Sequence, residues 1–432
     1  MPSIGVSEGR ICTFRRTTAV LGAAAPAPCR FAASTVRTPL PYAAEMPAGD
    51  PPAQVPLAEI VRQWGRIGCI GFGGPPVHIA LFRRLCVLER HWLTEEQFER
   101  ALAATNLLPG PASTQLSIYC AWRLRGGRGA ILGGLSFILP GLAMIIALSA
   151  LFLSGSPPVW VRGAGMGAGA AVAPVAFTVG LGVVGPIWRR SARSARPRIF
   201  SYALAGAVAV ALAGPWLVLV LLACGAAELA RRSPRRGTLS GHLAPLLALV
   251  GDPGGTGALV WTSLKIGALA FGGGFVIIPL MQADAVGTYH WMSEGQFLNA
   301  VALGQVTPGP LVQTVAAVGY AAGGIPSALL AALVAFLPSF TFILLGAGRF
   351  ERLLRNEGVL GFLAGAAPAA AGAIIGSAVP LAGALGEAWQ YLILAGAALA
   401  LLAARRSVLA TLLVAGTIGS LAAVAGAPLP HY

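Results

Sequence analysis

The chain has 432 residues, of which 56% are hydrophobic and only 10% are charged. Soluble globular proteins carry about 25% charged residues and disordered chains are more polar still, so the composition excludes both classes. It predicts an all-α, polytopic membrane protein, because apolar runs such as 130–153 and 200–229 are long enough to cross a bilayer as helices. The net charge of +15 resides in arginine clusters between such runs, which is typical of cytoplasmic loops, so we predict no nucleic-acid partner.

Residues 1–50 differ from the rest of the chain. They are rich in arginine and contain only three acidic residues, Glu8, Glu45 and Asp50. This composition is typical of a targeting segment. It also fits a translation start assigned too far upstream, with Met46 as the first residue, and we favour this second interpretation. Under both interpretations the segment is an N-terminal extension outside the fold.

The rest of the chain contains an internal repeat. Residues 66–111 align with residues 265–310 at a constant offset of 199, and 19 of the 46 positions are identical. The shared elements include a Phe-Gly-Gly run, a His-Trp pair and a Pro-Gly-Pro triplet. We therefore predict two homologous halves, 51–230 and 258–432, joined by a polar cytoplasmic linker at 231–257.

Each half continues with the same order of apolar segments. A Gly-Gly pair is followed by two long segments and then by two short ones, which predicts equivalent helices in the two halves. In the first half these segments are 129–153, 159–186, 199–213 and 215–230. In the second half they are 326–347, 358–383, 388–403 and 407–425.

The arginine content of equivalent loops is reversed between the halves. In the first half arginines concentrate at 83–90, 123–128 and 189–198, whereas the matching loops of the second half contain no lysine or arginine. The second half instead carries arginines at 349–355 and 405–406, where the first half is nearly bare. Because basic loops stay in the cytoplasm, we predict an inverted-topology repeat, an arrangement typical of transporters.

Glycine and proline interrupt the apolar segments at four places: Gly-rich runs at 71–74 and 271–274, and Pro-Gly-Pro at 109–111 and 308–310. Such residues break helices, and broken backbone at membrane depth is tolerated only inside protein or beside a cavity. In transporters paired breaks mark the substrate site, and the freed N–H groups attract anions. Whether the first broken segment, 57–82, crosses the membrane or re-enters on one side stays open.

The residues around these breaks are rich in hydrogen-bond donors, and the same stretch of sequence offers no obvious carboxylate. That combination suits an oxyanion rather than a metal cation, so we predict neither a metal nor a cofactor. Arg66 and Lys265, at equivalent repeat positions, are the predicted charge partners of the anion. The full set of predicted substrate-binding residues is Arg66, Gly73, Gly74, His78, Asn106, Pro109, Gly110, Pro111, Gln115, Lys265, Gly272, Gly273, Gln305, Thr307, Pro308, Gly309 and Pro310. Neighbouring hydroxyls and amides are Ser113, Thr114, Gln313 and Thr314.

Some of these residues also have purely structural explanations. Gly-Gly pairs often serve close helix packing, and Arg66 can extend its charge to the membrane interface without touching a substrate. His78 has no histidine counterpart at position 277, so it fits a satisfied buried polar residue as well as a proton carrier.

Other motifs are predicted to be structural. Thr94–Gln97 and Ser293–Gln296 have the pattern of capping boxes that begin helices. The alternating glycines from Gly163 to Gly169 fit a small-residue packing face. The six cysteines contain no CxxC pair and are expected to be small apolar side chains in helices. The sequence has no phosphate-binding GxxxxGK[ST] motif and no serine–histidine spacing typical of a nucleophile, so we predict that the protein is not an enzyme.

Four motifs resemble those of the chromate ion transporter family: FGGPPVH at 72–78, LPGPASTQ at 108–115, FGGG at 271–274 and TPGP at 307–310. The resemblance covers residues 57–383 and fits the long form of that family, in which two homologous halves have opposite orientations. It implies efflux of chromate across the cytoplasmic membrane, driven by the membrane potential, with sulfate as the close analogue. The chain departs from the family pattern at Gln313, where small hydroxyl residues are frequent.

The residues and the resemblance together predict a multi-pass secondary transporter in the bacterial inner membrane that exports chromate and confers chromate resistance. A carrier of sulfate or another tetrahedral oxyanion is the alternative, and a passive channel and an intramembrane enzyme are the rival classes. The expected partners are the oxyanion and the lipid bilayer, and a homodimer is left open as the assembly.

Overall fold

The computed structural model describes residues 55–108, 110–153, 157–213, 217–232, 255–270, 277–347 and 356–429. The predicted extension 1–50, most of the predicted linker 231–257 and the Gly-rich break at 271–274 lie outside these ranges. Within them the chain is helical, as expected for an all-α membrane protein.

Long apolar stretches rich in good helix formers produce helices separated by short turns. In the first half the helices are α1 (Leu57–Ile70), α2 (Pro75–Arg83), α3 (Glu95–Leu107), α4 (Ala112–Phe152), α5 (Val159–Ala170), α6 (Val172–Arg190), α7 (Arg196–Ala213) and α8 (Leu217–Arg232). In the second half they are α9 (Thr256–Leu269), α10 (Ile277–Gln282), α11 (Glu294–Val306), α12 (Thr314–Gly346), α13 (Glu357–Gly383), α14 (Ala388–Ala398) and α15 (Val408–Val424). Turns of π-helix extend α2, α10 and α14 at Arg84–Glu89, Ala283–Thr288 and Leu399–Ala403.

Several helices have the length and surface of membrane segments. Large apolar side chains stay exposed along them, such as Leu333 at 68% and Leu392 at 77%. A soluble protein rarely exposes so much apolar surface, whereas a bilayer covers it. In the described part of the chain, four helical stretches are long and apolar enough to cross a membrane: Ala112–Phe152, Val159–Arg190, Leu311–Gly346 and Glu357–Gly383.

The longest helix, α4, consists of two helices that fold back on each other. Its 41 residues would extend about 60 Å if straight, twice the thickness of a bilayer core. The backbone leaves helical geometry at Gly126, which has φ +58°. A Cβ atom on Gly133 would lie 2.5 Å from Cβ of Ala121, so the two parts run side by side. We call residues 112–124 the short arm of α4 and residues 127–152 its long arm.

α12 is built in the same way. Its backbone reverses at Gly324, which has φ +72°, between a short arm, 314–322, and a long arm, 325–346. A Cβ atom on Gly319 would lie 2.8 Å from Cβ of Ala331, and this is the repeat equivalent of the contact within α4. The Gly-Gly pairs seen in the sequence therefore reverse the chain in both halves.

α1 and α2 also form a hairpin, with the Gly-rich run 71–74 at its tip. The rings of Trp64 on α1 and Phe82 on α2 have centroids 5.3 Å apart. Farther from the tip, Arg90 forms an ion pair of 3.0 Å with Glu59. Residues 59 and 90 therefore lie at the same end of the hairpin, and the broken segment does not continue in one direction.

The two predicted capping boxes are confirmed. The side chain of Thr94 accepts a hydrogen bond from the backbone N–H of Gln97, and the Gln97 side chain accepts one from the Thr94 N–H. Ser293 and Gln296 make the same reciprocal pair. Each box satisfies two N–H groups that a helix start leaves without partners, so α3 and α11 begin where the sequence predicted.

The long arms of α4 and α12, 127–152 and 325–346, pack against each other, and we call this contact the crossing. Gly134 of α4 contacts the Phe340 ring of α12, with 2.6 Å between the ring and a Cβ atom placed on the glycine. Gly127, nearer the start of the same arm, lies beside Leu344, nearer the end of the other. Residue numbers rise along one arm as they fall along the other, so these homologous arms run antiparallel.

The next pair of equivalent helices, α6 and α13, is also antiparallel. Gly180 of α6 packs against Ile375 of α13. Ile187, near the end of α6, lines a cavity together with Leu363, near the start of α13. Two independent pairs of homologous helices therefore have opposite directions.

Small side chains fill the helix contacts. Gly163 and Gly167 of α5 pack against Gly419 of α15, so the glycine run is the packing face that its spacing predicted. The four described cysteines are free thiols, and three of them are buried in helices as expected. Cys69 is the exception, because its position on α1 is exposed.

Candidate anion-binding site

A chain of hydrogen bonds connects the broken segments of the two halves. Ser113 Oγ, in the first turn of α4, lies 3.3 Å from His78 Nδ1. His78 Nε2 lies 2.8 Å from the carbonyl oxygen of Gly71, and Gly309 N–H donates to the same oxygen at 3.0 Å. Because a carbonyl only accepts, Nε2 carries a proton, and in the neutral ring Nδ1 accepts from the Ser113 hydroxyl.

This chain of bonds brings three of the breaks together in the protein interior. His78 is fully buried and Ser113 is 2% exposed. The Gly-rich tip of the first half therefore lies against the Pro-Gly-Pro loop of the second half, with the start of α4 beside it. The sequence marked each of these breaks as part of the substrate site, but it did not show which half supplies the neighbours of each break.

Each Pro-Gly-Pro loop packs on the long arm of the other half. A Cβ atom on Gly110 would lie 3.3 Å from Ser339 Oγ of α12. On the other side, a Cβ atom on Gly141 of α4 would overlap the Pro308 carbonyl and lie 2.5 Å from Gln313 Oε1. Gly141 and Ser339 are repeat equivalents that follow Pro140 and Pro338. The two loops thus flank the crossing of the long arms.

The helices that start after these loops point their N-termini into this region. The residues that open them, Ala112 to Gln115 and Leu311 to Thr314, are all buried. No N-cap side chain bonds the first-turn N–H groups of α4. Before α12 a 3₁₀ turn over Leu311–Gln313 bonds the Thr314 N–H, so the open donors of that half lie at the start of this turn. A buried helix start without a cap retains partial positive charge and free donors, which favour an anion.

Several buried polar side chains around the crossing also have atoms without a protein partner in the described chain. Each residue below lies in a Pro-Gly-Pro loop, in the helix end beside it, or on the facing long arm. Hydroxyl and amide N–H groups are neutral donors that suit oxyanion oxygens, and leaving them unbonded is costly. The donor atoms are Thr114 Oγ1, Ser339 Oγ and Gln305 Nε2, and the neighbouring Gln313 Oε1 is an acceptor without a partner.

Gln313, the position that departs from the family pattern, braces the second loop. Its Nε2 donates to Thr307 Oγ1 at 2.9 Å and to the Pro308 carbonyl at 2.8 Å. In the first half the amide of Gln115 lies close to Gly110, since a Cβ atom there would be 2.5 Å from Gln115 Nε2. A buried amide thus contacts the glycine-containing loop in each half.

The predicted cations do not lie in equivalent surroundings. Arg66 is exposed on α1, which favours the interface explanation. Lys265 is 14% exposed and forms an ion pair with Asp284, with Nζ 2.6 Å from Oδ2. Asp284 also accepts a hydrogen bond from Thr262 at 3.0 Å. The expectation of a zone without carboxylates is therefore wrong at Lys265, because the hairpin formed by α9 and α10 brings in an acid 19 positions away.

The remaining predicted residues divide between the crossing and its periphery. Gly73 and Gly74 form the hairpin tip with φ values of +105° and +76°. Pro111, Thr307, Pro308 and Pro310 are buried at the crossing, and Asn106 is exposed, outside it. Pro109, Gly272 and Gly273 lie outside the described residues.

Sequence reasoning missed three contributors to this region. They are Gly71, which accepts two hydrogen bonds, Ser339, which faces Gly110, and Asp284, which pairs with Lys265. For Ser339 a signal existed, because it and Gly141 are small residues after equivalent prolines.

The exposed apolar helices and the buried, donor-rich crossing define an all-α membrane protein with a polar centre made by both halves. Comparison with known sequences gives the family. The sequence profile of the chromate transporter family matches residues 58–229 and 257–421, and the chain belongs to that family. No solved structure matches the chain.

The chain is also similar to individual transport proteins. It is 32% identical over 342 residues to a chromate transport protein of Cupriavidus metallidurans, covering 76% of this chain and 82% of the relative. It is 31% identical over 353 residues to a chromate transport protein of Pseudomonas aeruginosa, covering 77% and 82%. A probable chromate transport protein of Synechococcus elongatus is 29% identical over 342 residues, covering 75% and 84%. These relatives indicate a role in transport rather than catalysis.

Proposed function

We propose that the protein is a secondary transporter that exports chromate across the cytoplasmic membrane and so confers chromate resistance. Membership of the family and the relatives named as chromate transport proteins support chromate as the substrate. A carrier of sulfate or of another tetrahedral oxyanion is the alternative, since such anions present the same shape and charge. A multi-pass location in the bacterial inner membrane and assembly as a homodimer belong to the same proposal.

The proposal includes an inverted-topology repeat with re-entrant hairpins. A two-fold axis along the membrane normal would make equivalent helices parallel, whereas an axis in the membrane plane makes them antiparallel. The antiparallel pairs α4–α12 and α6–α13 therefore support inversion, as does the reversal of loop arginines. Because α1 and α2 fold back on each other, we assign both ends of this hairpin to the same side of the membrane. Its ends carry Arg83, Arg84 and Arg90, so we assign that side and the N-terminus to the cytoplasm.

The observation that carries the site is the buried chain of hydrogen bonds from Ser113 through His78 and Gly71 to Gly309. It fixes the Gly-rich tip of one half against the Pro-Gly-Pro loop of the other. An anion bound there is held by groups from both halves, and relative motion of the halves changes the side to which those groups are open. This is the arrangement that alternating access requires.

The chemistry of binding rests on neutral donors and helix dipoles. A tetrahedral dianion accepts hydrogen bonds from first-turn N–H groups and from hydroxyls such as Ser339 and Thr114. Preorganised donors in a dry interior replace the hydration shell that the anion leaves in water. Arg66 and Lys265 stay predictions as charge partners, and in the structure Lys265 is paired with Asp284.

Transport by the purified protein in proteoliposomes tests this function. We expect saturable uptake of radiolabelled chromate that depends on an imposed membrane potential, with competition by sulfate and weaker competition by phosphate. Liposomes with a transport-dead variant provide the background. Uptake that favours sulfate over chromate would select the alternative, and uptake that never saturates or never exceeds the outside concentration would indicate a channel.

A further inference from the structure

The cavity that Ile187 and Leu363 line takes in no residue of the crossing and lies where α6, α7, α8 and α13 meet. Its volume is about 190 Å³. One side is polar and includes Ser191, Arg198 and Arg232, whereas the other is formed by apolar residues of α13 such as Leu363 and Pro368. The cavity is therefore amphipathic, with a basic side and an apolar side.

The basic side contains more positive than negative charge. Glu228, whose side chain is 4% exposed, accepts hydrogen bonds from Arg231 at 2.8 Å and from Arg232 at 3.0 Å. Tyr202 donates to the same carboxylate at 3.2 Å, and Arg198 Nε lies 3.5 Å from it. Three guanidinium groups surround one carboxylate, so two positive charges remain uncompensated within this cluster.

Arg198 is the group best placed to bind an additional anion. Its Nη1 donates to the Ser194 carbonyl at 3.3 Å, and its Nε makes no hydrogen bond within the described residues. A guanidinium has five N–H donors in a planar fork that suits phosphate oxygens. Arg198 lines the cavity together with Arg232, and its Nε faces Glu228 at 3.5 Å, which leaves the guanidinium nitrogen Nη2 for a further anion.

We propose that this cavity binds the headgroup of an anionic phospholipid such as phosphatidylglycerol. The phosphate diester pairs with Arg198 and Arg232, and the glycerol and first acyl carbons lie on the apolar wall of α13. A free phosphate or sulfate ion lacks the apolar part, and that wall offers it no hydrogen bonds. Basic pockets between membrane helices on the arginine-rich side are a general means of recognising anionic lipids.

Lipid titration of the full-length protein by native mass spectrometry tests this site. The probes are dioctanoyl phosphatidylglycerol, dioctanoyl phosphatidylcholine, sodium phosphate and sodium sulfate. We expect phosphatidylglycerol to bind at least about 10-fold more tightly than phosphatidylcholine, because the quaternary ammonium of phosphatidylcholine adds a positive charge beside the arginines and phosphatidylglycerol has no such charge. Arg198→Gln with Arg232→Gln should lose at least about 10-fold of that affinity. This double variant keeps Arg231 on Glu228, so the buried carboxylate retains its bidentate partner.

The matched control is Arg190→Gln with Arg193→Gln, two exposed arginines of the same region. It removes the same charge without touching the cavity, and we expect a loss of less than about 2-fold. Arg198→Gln alone, which leaves the three hydrogen-bonded partners of Glu228 (Tyr202, Arg231 and Arg232) in place, should lose at least about 3-fold. Equal losses in the pocket and control variants would overturn the proposal in favour of general surface attraction. Displacement of the lipid by millimolar phosphate or sulfate would overturn it in favour of a free-anion site.

Discussion

A single methyl group added to α4 should separate the two halves where the site requires them to touch. Gly141 faces the second Pro-Gly-Pro loop so closely that a Cβ atom would overlap the Pro308 carbonyl and stand 2.5 Å from Gln313 Oε1. Ordinary contact between carbon and oxygen needs about 3.4 Å, so in Gly141→Ala the loop must move away by about 1 to 1.5 Å. Because Gly309 in this loop donates to the Gly71 carbonyl, the retreat breaks the link between the halves.

The size of the effect follows from that displacement. Overpacking in a close-packed interior lowers the free energy of unfolding by about 1–3 kcal/mol, and we expect the variant to remain folded. A misplacement of about 1 Å at a binding centre can lower a rate about 100-fold. We therefore expect chromate transport by Gly141→Ala to fall about 10- to 100-fold, with a modest decrease in the thermal unfolding midpoint.

The control is Gly182→Ala, the same change in helix α6, where a new Cβ atom meets nothing within 4 Å. Uptake of radiolabelled chromate into inverted membrane vesicles, corrected for the amount of folded protein, compares the two. Gly182→Ala should transport within about 2-fold of the wild type, since alanine in a helix costs nothing relative to glycine. If Gly141→Ala transports as well as Gly182→Ala, contact between the loop and α4 is not part of the site.

Three further changes test other contacts. Lys265→Gln should lower the free energy of unfolding by about 3 kcal/mol or more, because it leaves Asp284 as a buried unpaired charge. Adding Asp284→Asn should restore most of the thermal unfolding midpoint. If the double variant does not recover, Lys265 has another essential partner. Ser339→Ala should raise the KM for chromate about 10-fold, because it removes a buried donor, while the stability of the protein stays unchanged or rises. An unchanged KM would place Ser339 outside the site. In a cysteine-free background, a membrane-impermeant maleimide should label Thr288→Cys in intact cells and its repeat equivalent Glu89→Cys only in inverted vesicles, and equal labelling of both would contradict inversion.

Local sequence signals predicted the positions where helices begin and break. The capping boxes at Thr94 and Ser293 could be recognised in the sequence because they need only a hydroxyl and an amide three residues apart. The helix breaks at 109–111 and 308–310 could be recognised in the sequence because proline removes a backbone donor and glycine loosens the helix. The repeat showed that these breaks occur in pairs, and in the structure the hydrogen bond from Gly309 to Gly71 joins the tip of one half to the loop of the other.

Long-range contacts were not predictable from the same signals. The arginines and the Gly-Gly pair at 123–128 marked a loop near Gly126. Helices that are apolar on all sides give no period that shows which face packs inward, so the side-by-side packing of the two arms was not predictable. Asp284 was overlooked because it meets Lys265 only when the chain folds back between α9 and α10. The partners of His78 required the same kind of information, since Ser113 lies 35 positions away and across a helix break.

The central claim is that the chromate site lies where the Pro-Gly-Pro loops meet the opposite halves, and three glycines with similar backbone geometry test it most directly. Gly110, Gly309 and Gly426 have φ values of +120°, +94° and +90°, so alanine strains the backbone comparably at each. A Cβ atom on Gly426 meets nothing within 4 Å, whereas the other two face the site. In proteoliposomes, Gly110→Ala and Gly309→Ala should each lower kcat/KM for chromate at least about 10-fold, and Gly426→Ala should change it less than about 2-fold. Equal kcat/KM values for all three variants would contradict the assignment of the site to these loops.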